Sequence, residues 1–281
     1  MKNLILLATY WNEIDIVKAS LAQIDRIDPM EIVICDGCFD DRYPLYSTDG
    51  TREIIVKYAN ERDNARLVSP KRYSRTRGTW NIYKGHNKIS KISRLKPSRL
   101  HTVVTAIRGE PYRINQALAF NYMVSISKYW KVGHWFMIYD CDQFYSDKTI
   151  EMFSIVNDKT DLGLLTAKEK TFFTDFHSYT KGYEKRTFNN MPHRIFANTM
   201  IIPTRQLVIE NIISRTYYAD MVKTMHVGDY FHYKFINRER SIAAYEVGNR
   251  KAPDIRNYSL CQFEGQHPAI IREYFRELIG T

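Results

Sequence analysis

The 281-residue sequence contains no run of apolar residues approaching the ~18 to 20 needed to cross a bilayer, so no transmembrane helix is expected. Its first apolar stretch is short and is followed directly by Glu13 and Asp15, which argues against a secretory signal. A cytosolic protein is the expectation, with peripheral contact the one membrane relation left open. Only four cysteines are present, too few for a disulfide scaffold. Cys35 and Cys38 adjoin acidic residues, and Cys141 and Cys261 are scattered, so reduced thiols are expected rather than a zinc knuckle. No internal repeat and no Pro/Gly/Ser-rich linker divides the chain, which predicts one domain over 1–281, with halves at 1–145 and 146–281. Acidic residues are wholly missing between Asn64 and Gly109, where twelve Lys or Arg occur. That segment carries the net charge of +10, and such a run repels itself unless an anion lies against it. Its aromatics, Tyr73, Trp80 and Tyr83, could stack on the rings of a nucleic acid or simply anchor a solvated loop.

What is present is an alternation of strand and helix signals. Asn3 to Thr9 and Glu31 to Cys35 are short continuous apolar runs of buried-strand type, and Ile14, Val17, Leu21 and Ile24 recur at helical spacing between them. A second helix follows Gly50, with Asp49 or Thr48 as its cap, and a third strand spans Ala65 to Ser69. Tyr112 to Tyr129 predicts a long helix, Trp135 to Tyr139 (WFMIY) a central strand, Asp147 to Val156 a helix and Leu162 to Ala167 a strand. This pattern predicts an α/β fold with a mostly parallel central sheet flanked by helices. The remainder is less regular. Loop and mixed strand are expected over 170–204, and helices over Gln206–Ile213, Tyr230–Ile236 and Ala269–Leu278.

Ligands bind open parallel sheets beyond the carboxyl ends of the strands. Thr9 with Glu13, Asp36, and Asp140 with Asp142 all fall at that edge. In Asp140-Cys141-Asp142 two carboxylates flank one residue where an apolar strand ends. Hard divalent cations such as Mg²⁺ or Mn²⁺ take oxygen ligands of this kind and keep substrate phosphates in the same shell. The pattern therefore points to a metal–diphosphate site, the bland alternative being a pair of surface acids that cap a turn.

Taken in order, ATYWNE at the first strand, CDG at the second, STDGT before the next helix, RIN in the long helix and YDCD at the fourth strand resemble nucleotide-sugar glycosyltransferases of the GT-A fold, family-2-like in particular. The similarity covers roughly residues 3 to 145 and implies a Rossmann-type, GT-A-like architecture. It implies that Thr9 and Glu13 line the nucleoside pocket, that Asp36 bonds the base or ribose, and that Arg113 lies by the nucleotide. It also implies that Asp140 and Asp142 bridge the diphosphate through Mn²⁺ or Mg²⁺. A nucleoside-diphosphate sugar is then the donor, a UDP-sugar being the commonest case, and the enzyme a hexosyl- or pentosyltransferase. Two departures stand out. The family's short acidic loop is stretched to DGCFDDRYPLYSTDGT, leaving Asp40, Asp41 or Asp49 as its second acid, and the basic insertion at 70–108 is longer than usual.

The family places an acid downstream that removes the acceptor proton in an inverting transfer. HVGDY puts Asp229 in that place, at the start of the expected helix, where it would equally serve as an N-cap. Related enzymes bring a late His to the metal, and His267 in GQHPAII is the candidate, although a His before Pro is commonly a turn residue. His193 and Arg194 could contact acceptor or phosphate, or belong to a satisfied polar loop. Trp130 and Trp135 are expected in the core more than under a sugar ring. The cationic segment favours a polyanionic acceptor: a hydroxylated base in DNA, or a phosphate-linked lipid or glycan. Two competing readings remain. One is a metal-dependent nucleotidyltransferase, weakened because TYWNEID lacks the glycines of a phosphate loop; the other is a non-catalytic basic nucleic-acid-binding protein.

Overall fold

The computed structural model describes residues 1–70, 72, 111–173, 175–180, 186–187, 190–195, 199–201, 207–210, 215–217, 222–237 and 259–280. Four strands build one side of the central sheet: β1 (Leu4–Tyr10), β2 (Glu31–Asp36), β3 (Ala65–Val68) and β4 (Trp135–Asp140). They lie in the order β3-β2-β1-β4 and are all parallel. Among the described residues three helices lie between them: α1 (Val17–Ile27), α2 (Thr51–Asn60) and α3 (Pro111–Ile126). Alternate residues of each strand point to opposite faces. Leu4, Leu6, Ala8, Ile32 and Ile34 accordingly pack with the α1 residues Val17, Leu21 and Ile24 and the α2 residues Ile55 and Tyr58. Ile5, Leu7, Val33 and Cys35 pack on the other face with Ala119, Phe120 and Met123 of α3. Burying the two faces at about 1.5–3 kcal/mol per large aliphatic side chain is what selects the three-layer arrangement.

The other side of the sheet is mixed. β5 (Gln143–Tyr145), β6 (Leu164–Phe173), β7 (Ser178–Thr180), β8 (Arg186–Thr187), β9 (His193–Arg194), β13 (Thr224–Phe235) and β14 (Leu260–Gln262) join it. β9 runs antiparallel between β4 and β6, while β13 is parallel to β6 and antiparallel to β5. A separate three-stranded sheet contains β10 (Thr199–Ile201), β11 (Leu207–Glu210) and β12 (Arg215–Tyr217). Helix α4 (Asp147–Val156) follows β5, and α5 (Ala269–Tyr274) and α6 (Arg276–Ile279) come last.

Three sequence expectations change. The segment expected as a helix over Tyr230–Ile236 is strand β13, because it is sandwiched between β5 and β6. With Tyr230, Phe231 and Tyr233 all buried, no two-residue alternation is visible, and the aromatic content that favours a strand prevails. Residues 207–210 (LVIE) form β11 instead of part of a helix, as branched side chains favour. The closing helix breaks at Phe275, which sits at φ −125° and packs its ring 5.2 Å from that of Phe176.

Candidate active site at the β1–β4 switch point

From β1 the chain builds outward through β2 and β3, then returns to place β4 on the other flank of β1. Such a reversal, at the carboxyl ends of β1 and β4, is where open α/β sheets receive ligands. The register puts Thr9 beside both Cys35 and Asp140, and Tyr10 beside Asp36. The residues expected from separate sequence motifs thus come together at one edge.

Each acid at that edge has a distinct environment. Asp140 is half-buried; its Oδ2 accepts from Asn190 Nδ2 at 2.9 Å and from Gln143 Nε2 at 3.4 Å. Asp142 is buried, and its Oδ1 lies 3.5 Å from His232 Nε2 on β13. The other ring nitrogen of His232 is 2.9 Å from Glu169 Oε1. Burial acts to lower the His232 pKa, but the two carboxylates outweigh it and raise it to about 9, so the ring is an imidazolium at neutral pH. Glu169 is moved below its ordinary value: burial opposes ionisation, and His232, Thr171 and Tyr230 overcome it by hydrogen bonding. None of Asn190, Gln143, Glu169 or His232 was singled out from the sequence. No sequence signal pointed to His232, because the consecutive buried aromatics of β13 mask its alternation.

Asp36 is fully buried and turned to the protein. Its Oδ1 accepts from the backbone and hydroxyl of Ser47 at 3.2 and 2.7 Å, and its Oδ2 from Arg52 Nη1 at 2.6 Å. Arg52 in turn stacks 3.9 Å over the ring of Tyr46. The stretched loop is stitched to the turn after β1: Asn12 Oδ1 accepts from Thr48 N at 2.8 Å, Asn12 N donates to Ser47 Oγ at 3.0 Å, and Glu13 N donates to Thr51 Oγ1 at 2.8 Å. Asp49 accepts from Ile14 N and Thr51 N, both at 3.0 Å, while Gly50 turns the chain at φ +98°. Asp40 is buried under a two-pronged contact from Arg42. Both acids organise the loop, and Asp41 beside them is half-buried. Glu13 opens α1, its carbonyl accepting from Ile16 N and Val17 N.

The other expected residues separate. Asp229 lies mid-strand in β13, ion-paired to Lys170 Nζ at 2.9 Å. An odd number of positions from His232, it faces the opposite side of the sheet. His267 is on that far side too. Its Nδ1 is 2.7 Å from the Tyr233 hydroxyl, it is enclosed by Phe172, Phe176 and Phe263, and burial lowers its pKa to about 4. The structure does not bring these two residues to Asp140 and Asp142, and His267 is a core imidazole. His193 is likewise buried, with its pKa lowered to about 3 by burial. Arg194 spends its guanidinium on the carbonyls of Leu162, Gly133 and Lys159. Trp135 is fully buried and Trp130 packs on Phe136.

Arg113 lies in the first turn of α3, with its side chain outside the described residues. Most of the basic segment, including Tyr73, Trp80 and Tyr83, is also outside them. Two of its cations are described. Arg66 pairs with Glu31 at 2.8 Å, and Arg72 Nη1 donates to the carbonyls of Asp40 and Tyr43 at 2.7 and 2.8 Å.

Among the described residues no group of three or more His, Cys, Asp and Glu is arranged to hold a metal ion. Two aspartates at the switch point still fit the mode typical of Mg²⁺, one or two carboxylates completed by substrate phosphates and water. The cysteines described are free, and no helix among the described residues is long and apolar enough to cross a membrane.

No family model and no curated protein matches the chain. Among solved structures it is similar to the crystal structure of S. aureus TarS, at TM-score 0.34 and 17% identity over 61% of this chain and 22% of that one. It is similar also to the crystal structure of S. aureus TarS 1-349, at TM-score 0.32 and 18% identity over 61% and 36%. The chain thus spans well under half the length of either structure. Such likeness carries no residue roles, and the site rests on its own geometry.

Proposed function

We propose that the chain is a metal-dependent glycosyltransferase of GT-A-like architecture that moves a sugar from a nucleoside-diphosphate sugar to a hydroxyl acceptor. The observation that supports this reading is the register of Thr9 against Asp140 at the β1–β4 switch point, the edge at which open α/β sheets receive ligands. Thr9 and the turn Trp11–Glu13 would line the nucleoside side, with Arg113 toward the phosphates. Asp36 supports them indirectly, by fixing the 47–52 loop through Ser47 and Arg52.

Asp140 and Asp142 would hold Mn²⁺ or Mg²⁺, which when bound supplies positive charge to the leaving diphosphate. The chain's own contribution is to orient the two carboxylates. Asn190 and Gln143 fix one oxygen of Asp140, and His232 stands beside one oxygen of Asp142. Inversion loses its support, since Asp229 is ion-paired on the other face of β13. A polyanionic acceptor remains the reading of the basic segment, on the strength of its twelve cations and no acid.

A panel of nucleotide sugars with Mn²⁺, followed by thermal shift and donor hydrolysis, tests the proposal, because a ligand that binds only the folded state raises its melting temperature. At least one donor should stabilise the protein and be hydrolysed. The double variant Asp140→Asn, Asp142→Asn should reduce that hydrolysis at least about 100-fold, the scale expected when positioned charge stabilisation is lost. Full hydrolysis by that variant, or no response to any donor, overturns the reading.

A further inference from the structure

We infer that Asn190 is a positioning residue for Asp140, aiming the first carboxylate of the pair. The inference rests on the metal-dependent reading above and deepens it. Asn190 is 7% exposed and comes from the segment leading into β9, remote in sequence from the YDCD motif. Its Nδ2 donates to Asp140 Oδ2 at 2.9 Å and also to Gln143 Oε1, while Gln143 Nε2 donates to the same Asp140 oxygen at 3.4 Å. Because an ionised carboxylate only accepts, the orientation of the Asn190 amide is fixed: its nitrogen faces Asp140.

The backbone of this segment is held without that side chain. The Asn190 carbonyl accepts from the Tyr145 hydroxyl, the Pro192 carbonyl from Leu165 N at 3.0 Å, and His193 and Arg194 pair with β4. The carboxamide, by contrast, is turned toward Asp140 and Gln143. An Asp side chain has two torsions to be set. Two neutral donors on one oxygen favour one plane of the group, and hence one direction of the other oxygen. Groups that hydrogen-bond a ligating carboxylate in this way typically contribute about 10–100-fold to metal affinity.

Mn²⁺ binding to the intact chain, measured from the free-ion electron paramagnetic resonance signal, separates the possibilities when melting temperature in EDTA is recorded alongside. Asn190→Ala and the volume-conserving Asn190→Leu should each weaken Mn²⁺ binding about 10–100-fold. Asp140→Asn should abolish it. If Asp140→Asn abolishes binding while both Asn190 variants bind like wild type, Asn190 is structural only and the inference is overturned, with the metal reading intact. A wild-type chain that binds no Mn²⁺, or an Asp140→Asn variant that binds normally, overturns the metal reading itself and this inference with it.

Discussion

At the residue scale, the acids at the sheet edge show how the same side chain is put to different uses. Asp140 keeps partial exposure at a strand end, whereas Asp36, on the far side of β1, is enclosed and neutralised by Arg52. Arg52→Ala would leave a buried carboxylate without its cation, its Ser47 contacts remaining. Since a hydrogen bond to a charged group contributes about 1.5–3 kcal/mol, a loss of about 2 kcal/mol in urea unfolding is expected. Arg52→Lys should recover only part of it, as a point charge replaces a planar fork. The positions of Thr9, Asp36, Asp140 and Asp142 were legible because each ends a short apolar run. The partners that tune them were not: Asn190, Glu169 and His232 sit 50, 27 and 90 residues from the aspartate they serve, and only strand pairing makes them neighbours.

At the element scale, the parallel half could be read ahead of the structure because β1, β2 and β4 are buried on both faces and α1 and α2 are amphipathic. The later half could not, because β13 hides its period. A second hidden feature is Gln23 on the inner face of α1. Its Nε2 donates to the Tyr139 hydroxyl at 2.7 Å and to the Gln143 carbonyl at 2.9 Å, and its Oε1 accepts from Tyr145 N at 2.7 Å. A single buried amide thus fastens the short strand β5 beneath the aspartates. Gln23→Leu leaves the Tyr145 N–H and Gln143 carbonyl without it, each at about 1–3 kcal/mol, so a stability loss of roughly 2–6 kcal/mol is expected. Faster amide exchange at Tyr145 would accompany it; unchanged exchange would show that β5 is held otherwise. Gly228 marks a neighbouring constraint. It sits at φ +137° in the bulge of β13, and a Cβ there would stand 2.6 Å from Thr149 Oγ1. Gly228→Ala should therefore cost about 1–3 kcal/mol in melting experiments, and displace the N-terminus of α4.

At the scale of the whole molecule, the histidines set a dependence of stability on pH with two limbs. His193 and His267 have pKa values lowered by burial to about 3 and about 4, so their contribution is complete above the ordinary value of 6.5 and is lost as pH falls below it. His232 is raised to about 9, so its contribution is complete below 6.5 and is lost as pH rises toward 9. In EDTA, the urea midpoint should peak near pH 6.5 as far as these groups decide it. His232→Gln should flatten the alkaline limb and spare the acid one. An alkaline limb of the same slope in that variant would show that the Asp142–His232–Glu169 contacts do not govern it.

The edge opposite the aspartates is secured by a different device. Arg194 reaches three carbonyls at once, on Gly133, Lys159 and Leu162, just ahead of β4 and β6. Both connections there are closed by one planar group, and a nick in either would not by itself release the strand it precedes. Arg194→Ala should accordingly open cleavage by trypsin at Lys131 or Lys159, protease digestion being most rapid where backbone is left untied.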